Sequence, residues 1–511
     1  MTDQSLNKTG FFKGENLDRI LFISTATVLF SLLLYRLLLI FSYSGDLGGF
    51  ENNFIYDIMR SLKGLTIYTD PSKSPYSITL YPPVYYNLCT LVGKIVHINI
   101  DEPINVYRLS RSVSLACDIT SCLLLYITLI RNFSIEKRTA FFFTAVFACI
   151  ICHLGYTFSR SDSIFLSFYL LFISTLTSRK QRSSLSYLLL LALLSNACFF
   201  SKQNGILTPL LTVTWILFKK EKRDLWVYLS GAFVIFLLLT ALYRYVFNYQ
   251  FLFTNIVKAL ANRIDFSWFY TDIFKRSMNS IWMLPLYAAA IISIKNYLKP
   301  VSNDDKLLTS IFFIQAIFSL ATSLKWGSGA GYFNESFVLC FIVIAREINV
   351  RSGEAGVKFR PKILFFLCPL LLLFAVHTNA QGYLFFIQNR MIKKQAYEQQ
   401  IKVSKYLNEK REGHYVLDQG SQGQNFFKAS ICEGLAVPNV DMVWCCTYPD
   451  KTFDYSNLAK DIASGNIRYI VQGDTSLPAE VWGGSLQRFS KDTVIHGFVI
   501  FGYHEPVHSI K

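Results

Sequence analysis

The sequence predicts an α-helical membrane protein of about eleven spans, with helices lying on the membrane surface in a long first loop and a small α/β domain at the C-terminal end. Three observations carry that prediction. Of the 511 residues, 52% are hydrophobic and 16% are charged, a balance too apolar for a soluble enzyme of this length. Apolar runs recur along the first three quarters of the chain, and Lys and Arg collect in alternate gaps between them. From about Gln381 the pattern turns amphiphilic and then water-soluble.

The first run, Ile20 to Tyr43, is long enough to cross a bilayer at roughly 20 residues per span. The residues before it are polar and mixed in charge, which reads as a retained span and not a cleaved signal. A formal net charge of +16, from 50 Lys and Arg against 34 Asp and Glu, raises nucleic acid as a partner. The positions of the basic residues argue against it. They fall in clusters at Arg131/Lys137/Arg138, Arg179/Lys180/Arg182, Lys219/Lys220/Lys222/Arg223, Lys295/Lys299/Lys306 and Arg346/Arg351/Lys358/Arg360/Lys362, the alternation that a positive-inside topology produces. Counting those gaps as cytoplasmic places spans near 20–43, 109–130, 139–157, 163–178, 185–200, 205–218, 225–246, 278–294, 307–323, 336–345 and 363–378, with the N-terminus inside and the C-terminal domain outside.

Between the first two spans lies a first outer loop, 44–108, far longer than most membrane connections. It opens with Asp46, three residues past the span, then Gly48-Gly49 and an amphipathic segment carrying Phe50, Phe54, Ile55, Ile58, Met59 and Leu62, which predicts a surface-lying helix. Tyr81-Pro82-Pro83-Val84-Tyr85-Tyr86-Asn87 follows, then an apolar segment. Making residues 84–98 a span would put the five basic clusters outside, so this too is read as surface-lying.

The other outward loops carry Ser159-Arg160-Ser161-Asp162, Ser201-Lys202-Gln203-Asn204-Gly205, Asn248 to Arg276, and Lys325 to Glu335. Residues 1–380 form the membrane module and 381–511 a soluble domain, with a helix over Phe385–Arg411 and strands at His414–Asp418, Ile467–Gln472 and Thr493–Tyr503. Eight of eleven cysteines lie in or beside apolar runs; in the tail, Cys432 has both Cys445 and Cys446 as pairing choices. Asp118 and Arg36 lie inside apolar runs. Asp118 reads either as functional or as hydrogen-bonded to a neighbouring helix, and Arg36 as a residue snorkelling to the interface. There is no Gly-rich loop with Lys-Ser/Thr, no His pair at metal spacing and no Gly-x-Ser-x-Gly elbow.

An outward acid just after the first span, a long first loop with surface helices and a Tyr-Pro-Pro element, and the Ser-Arg-Ser-Asp, Ser-Lys-Gln-Asn-Gly and Gly-Ser-Gly-Ala-Gly-Tyr-Phe-Asn-Glu loops together resemble the GT-C superfamily over residues 20 to about 345. These membrane glycosyltransferases use polyprenyl-phosphate sugars, as do the aminoarabinose transferases and protein O-mannosyltransferases. The resemblance implies a GT-C-like fold and a catalytic base at Asp46, with capping of the helix near Gly49 the other role open to it. Many members carry an Asp-Glu pair here, whereas this chain has Asp46-Leu47 with its next acid at Glu51. The resemblance places Asp162 as a second catalytic acid; helix capping or a pair with Arg160 is its alternative.

The leaving group of such a reaction is a lipid phosphate, so fixed cations should stand near it. Lys202, with Gln203 beside it, is the leading donor-binding candidate, followed by Arg160 and Lys325. Tyr81 and Tyr85 offer aromatic faces to a sugar, and Glu51, Asn334 and Glu335 offer hydrogen bonds to sugar or acceptor hydroxyls. The expected activity is inverting transfer of a hexose or pentose from a polyprenyl-phosphate donor to a glycan, lipid or protein hydroxyl at the outer face of a bacterial inner membrane. Membrane lipids are the other partners, and no cofactor is required, although a divalent metal is compatible. A polysaccharide polymerase or ligase and a lipid-linked glycan transporter are the rival readings.

Overall fold

The computed structural model describes residues 14–43, 47, 51–153, 158–178, 184–219, 222–259, 264–300, 302–354, 362–409, 415–418, 456–472, 485–495 and 497–505. Asp46, Cys432, Cys445 and Cys446 lie outside them.

Helices occupy the place of every predicted span: α1 (Gly14–Ile40), α4 (Pro103–Phe133), α5 (Lys137–His153), α6 (Ser161–Thr177), α7 (Leu185–Ser201), α8 (Leu207–Phe218), α9 (Lys222–Ala241), α12 (Leu284–Leu298), α13 (Asn303–Ser323), α14 (Asn334–Glu354) and α15 (Lys362–Glu409). By length and composition five stretches are suited to cross a membrane: Phe22–Ile40, Pro103–Phe133, Lys222–Val246, Ile281–Leu298 and Asn303–Ser323. Three shorter apolar stretches, Ser161–Thr177, Leu185–Ser201 and Gln203–Phe218, pack among them.

Local chemistry sets the boundaries. Pro103 starts α4, where its missing N–H costs nothing, and Ser134 ends it in the left-handed region at φ 55°. Ser302 caps α13 by accepting from the Asp305 N–H, with Asp304 and Asp305 in the positively polarised first turn. At the end of the bundle where the basic clusters lie, Arg346 pairs with Asp305 at 3.0 Å and Lys295 with Glu347 at 2.6 Å.

The first loop folds over the other end as α2 (Glu51–Leu62) and α3 (Val84–Ile95). The amphipathic helix is therefore where it was expected, but it does not lie on a surface. Every residue from Glu51 to Arg60 is buried, because its polar side is paired within the protein: Glu51 with Arg111, Asn52 with the Tyr107 hydroxyl at 3.0 Å, and Arg60 with the Thr66 carbonyl at 3.2 Å. Helix α3 does keep an exposed apolar side, at Leu91, Ile95 and Val96. The remaining short helices, α10 (Leu252–Ala259) and α11 (Phe266–Trp268), belong to the long 248–276 connection.

The tail holds α16 (Ser456–Ser464) and the strands β1 (Tyr415–Asp418), β2 (Ile467–Gln472), β3 (Phe489–Ile495) and β4 (Phe498–Tyr503) in the order β1-β2-β4-β3, parallel only between β1 and β2. The third expected strand is a hairpin, because Gly497, at φ +87°, supplies the turn that alternation alone does not reveal. Helix α15 runs without interruption through the expected domain boundary near 381. The tail docks on the first loop: the Tyr76 hydroxyl donates to Asp461 at 2.5 Å, and the Asn457 amide to the Ser72 carbonyl at 3.0 Å. Val471, Phe498 and Ile500 share an apolar cluster with α2, α3 and the end of α15, separate from the core of the bundle.

Inside the bundle, Arg36 is not snorkelling. It is buried, its Nη2 donates to Asp118 at 2.8 Å, and the Phe158 ring covers its guanidinium at 4.0 Å. The two costly charges sit in apolar helices because each neutralises the other.

Candidate functional site

The predicted outward loops meet at one end of the bundle, and their contacts define the site. Residues 66–81 of the first loop run out and back, held by Asn255 of α10, which donates to the Thr69 carbonyl at 2.9 Å and accepts from the Thr79 N–H at 3.0 Å. The Tyr68 hydroxyl donates to the Tyr81 carbonyl at 2.6 Å, and Phe54 stacks on the Tyr81 ring at 5.1 Å. Tyr81 is thereby fixed against α2 with its hydroxyl toward the next loop.

That loop enters α6 through Ser159, whose φ of +30° is unusual for a residue with a side chain, and through Arg160, whose extended backbone makes it the N-cap residue. The bend sends Phe158 over Arg36 and Arg160 toward Tyr81, whose hydroxyl accepts from Nη2 at 3.2 Å. Asp162 sits in the first turn of α6, where the helix dipole favours an anion.

Lys202 comes from the opposite side. It ends α7, its N–H bonding the Cys198 carbonyl at 3.0 Å, and the chain then folds back through a single turn, Gln203–Ile206. Gly205 makes this possible, since a Cβ there would stand 2.3 Å from the Cys198 backbone carbon. Lys202 Nζ donates to Asp162 Oδ1 at 2.7 Å, Arg160 Nε lies 3.3 Å from Asp162 Oδ2, and the Gln203 amide donates to the Leu80 carbonyl.

The late loop supplies the remaining wall. A turn over Ala330–Phe333 places the Tyr332 ring 5.3 Å from Lys202 Nζ and leads into α14, whose first residues are Asn334 and Glu335. Both are buried, and Asn334 Oδ1 and Glu335 Oε2 have no hydrogen-bond partner among the described residues. Two acceptors without donors in a buried place call for a ligand that brings O–H or N–H groups.

The electrostatics follow from this packing. Burial raises the Asp162 carboxyl, but Lys202 and Arg160 outweigh it and hold the group below the usual carboxylate range. Burial opposes the charge on Lys202, yet Asp162 and Glu335 keep its ammonium well above the ordinary lysine value. Glu335 is pushed up to about 7 by burial, with Lys202 only partly offsetting it. Whenever Glu335 takes up a proton, two cations face one carboxylate and the cluster is net positive.

Of the predicted site residues, Arg160, Asp162, Lys202 and Tyr81 are in direct contact, Gln203 braces the first loop beside them, and Glu335 interacts with Lys202. Asp162 is held ionised by two cations, which makes it a holder of Lys202 and a poor proton acceptor. Lys325 stands in the late loop, bridged to Ile264 and half-buried, and burial lowers its pKa. Two of the predicted sugar-contacting residues belong to the interior. Tyr85 is fully buried with its hydroxyl between Ser110 at 2.9 Å and Ser114 at 2.7 Å. Glu51 binds Arg111 through both oxygens, at 2.8 and 2.7 Å, with neither side chain exposed. Glu51 Oε2 also accepts from the Leu47 N–H at 3.0 Å, so the pair with Arg111 fastens Leu47 to α2 and α4. Sequence reasoning missed Tyr332 as a wall of the site and Gly205 as the reason Lys202 can reach it. The glycine after Lys-Gln-Asn was the available signal.

Among the described residues, no group of three or more His, Cys, Asp or Glu side chains gathers closely enough to hold a metal ion.

No protein-family model and no curated protein matches the sequence. Solved structures match along nearly the whole chain. ArnT from Cupriavidus metallidurans bound to undecaprenyl phosphate superposes with a TM-score of 0.60 at 12% identity, covering 93% of this chain and 98% of that one. The same protein in the apo state gives 0.59 at 12%, covering 93% and 97%. The Archaeoglobus fulgidus oligosaccharyltransferase, solved with Zn and sulfate, gives 0.50 at 12%, covering 94% of this chain and 74% of that one. The likeness at this identity is one of fold, and it is the GT-C-like fold that the sequence resemblance implied.

Proposed function

We propose that the chain is an inverting glycosyltransferase that moves a sugar from a polyprenyl-phosphate carrier to a hydroxyl of a cell-envelope glycan, lipid or protein, working at the outer face of a bacterial inner membrane with its N-terminus in the cytoplasm. One observation carries the reading: a buried cluster of two cations, Lys202 and Arg160, around one carboxylate, Asp162, lined by Tyr81 and Tyr332 and by two oxygens that lack partners among the described residues. Its position in a fold shared with a protein solved with bound undecaprenyl phosphate supports it.

In this reading the carrier phosphate approaches Lys202 and Arg160, each of which is engaged by Asp162 in the resting protein. Asn334 and Glu335 accept from sugar hydroxyls, and the Tyr81 ring packs on the sugar. The acceptor hydroxyl gives its proton to the Asp46 carboxylate, its oxygen bonds to C1, and the C1–O bond breaks with its electron pair passing to the phosphate. The cations stabilise the charge that develops there. A single displacement from the face opposite the phosphate inverts C1.

Mass spectrometry of cell-envelope glycans tests the proposal. Cells lacking the protein should lose one sugar substituent, the intact protein should restore it, and Asp46→Asn should not. An unchanged envelope in cells lacking the protein would refute sugar transfer, and restoration by Asp46→Asn would refute the base.

A further inference from the structure

A second feature takes no part in that chemistry. Between α1, α4 and α5 lies a cavity of about 410 Å³ lined by residues such as Leu32, Leu115, Tyr126 and Ala148, with Arg36 and Asp118 the charged members of its wall. It falls within the stretches of α1 and α4 suited to cross a membrane, and its lining residues Leu33, Ile119 and Leu123 are exposed on the surface of the bundle. A buried water needs two to four polar partners, and away from Arg36 and Asp118 the wall is almost wholly apolar and offers too few.

The size selects among apolar occupants. Taking for a methylene roughly the 30 Å³ that one water occupies in the liquid, the space holds on the order of fourteen such groups. That is one acyl chain; a long branched polyprenyl chain exceeds it. The two wall charges cancel, so nothing in the cavity calls for an anionic group inside. Phospholipid is also the most concentrated source of hydrocarbon around a spanning helix, and occupancy follows concentration.

Arg36 links this cavity to the loop of the candidate site. Its guanidinium lies under the Phe158 ring, two residues before Arg160, which pairs with Asp162. We infer that the cavity is a binding site for one acyl chain of a bilayer phospholipid, and that the bound chain supports residues 158–162 through Arg36. The supporting role rests on the reading of the site given above; the binding itself does not.

The test uses the full-length protein in detergent, stripped of lipid and reloaded with 1-palmitoyl-2-oleoyl-phosphatidylglycerol. Native mass spectrometry should find one tightly held phospholipid on the wild type and on Leu193→Trp, which alters an exposed position on α7, but none on Ala148→Trp, which fills the cavity. Reloading should slow amide exchange of residues 158–162 in the wild type by roughly tenfold. Equal phospholipid stoichiometry in Ala148→Trp and wild type would overturn the site. Displacement of the phospholipid from wild type by equimolar undecaprenyl phosphate would also overturn it, by assigning the cavity to the donor, and that arm stands even if Ala148→Trp fails to fold. Unchanged exchange at 158–162 on reloading would overturn the supporting role. Loss of sugar transfer activity as a reading would leave the phospholipid count untouched, so the two failures are distinguishable.

Discussion

Replacing Lys202 by Met separates what this residue does for the fold from what it does for a phosphate. In the resting protein Lys202 and Asp162 form a buried pair at 2.7 Å. Removing one partner of a buried pair typically destabilises by about 3–5 kcal/mol, because the other charge stays in low dielectric. Arg160 remains near Asp162 at 3.3 Å, which puts the expected loss at the lower end, about 3 kcal/mol. A bound phosphate would lose a charge-assisted hydrogen bond worth about 1.5–3 kcal/mol, which weakens binding by roughly 10- to 150-fold. Asp162→Asn in the same chain removes the stranded charge, so Lys202→Met/Asp162→Asn should recover most of the stability and none of the affinity. Thermal unfolding in lipid nanodiscs reads the first quantity, and equilibrium binding of radiolabelled undecaprenyl phosphate reads the second. Wild-type affinity in the double variant would refute the placement of the phosphate at Lys202.

Three further outcomes follow from individual contacts. Gly205→Ala places a Cβ against the backbone of α7, so the 203–206 turn must open; unfolding should be easier by several kcal/mol, and undecaprenyl phosphate binding should fall as in Lys202→Met. Glu335 is raised from an ordinary value of 4.5 to about 7, so its contribution to stability is fully present below about pH 4.5 and is lost as pH rises through 7, by about 3 kcal/mol in all. Chemical unfolding of Glu335→Gln followed from pH 5 to 8 should lack that decline, and binding of undecaprenyl phosphate should weaken above pH 7 in the wild type but not in the variant. Arg111→Met strands Glu51 in the interior and should cost about 3–5 kcal/mol, read by thermal unfolding, whereas Arg111→Met/Glu51→Gln should cost much less.

The helices of the bundle were legible because a span has a length requirement and the alternation of basic gaps fixes which ends lie together. That logic gathered Arg160, Asp162, Lys202 and Glu335 on one side before any distance was known. It failed where a polar pattern has two physical solutions. The charged side of α2 looks the same whether it meets water or, as in the structure, Arg111, Tyr107 and the Thr66 carbonyl. Arg36 looked like a snorkelling residue because its partner, Asp118, lies 82 positions away. Tyr85 and Tyr81 are equivalent in the Tyr-Pro-Pro element, and only the turn into α3 aims one at Ser110 and leaves the other toward Arg160. In the tail, the reversal at Gly497 was concealed because Thr493 to Tyr503 is rich in strand-forming residues on both sides of it, although only β4 alternates regularly between buried and partly buried positions.

Helix α15 has 48 residues, which at 1.5 Å each makes a rod of about 70 Å, more than twice the thickness of a hydrocarbon layer of about 30 Å. It acts as a mast: its first half is stepped in the bundle, where the Tyr383 hydroxyl near mid-helix donates to the Ser31 carbonyl, and its far end carries the sheet, where the Tyr406 hydroxyl reaches Asp492. Because an α-helix advances about 100° per residue, deleting one residue between Gln388 and Tyr397 would swing the sheet by about that angle. The hydroxyl of Tyr76 and the amide of Asn457 would then face empty water in place of each other's neighbours. The height and azimuth of the tail are thus encoded in the residue count of a single rod, and only a change of about a whole turn keeps the azimuth, while moving the tail by about 5.4 Å.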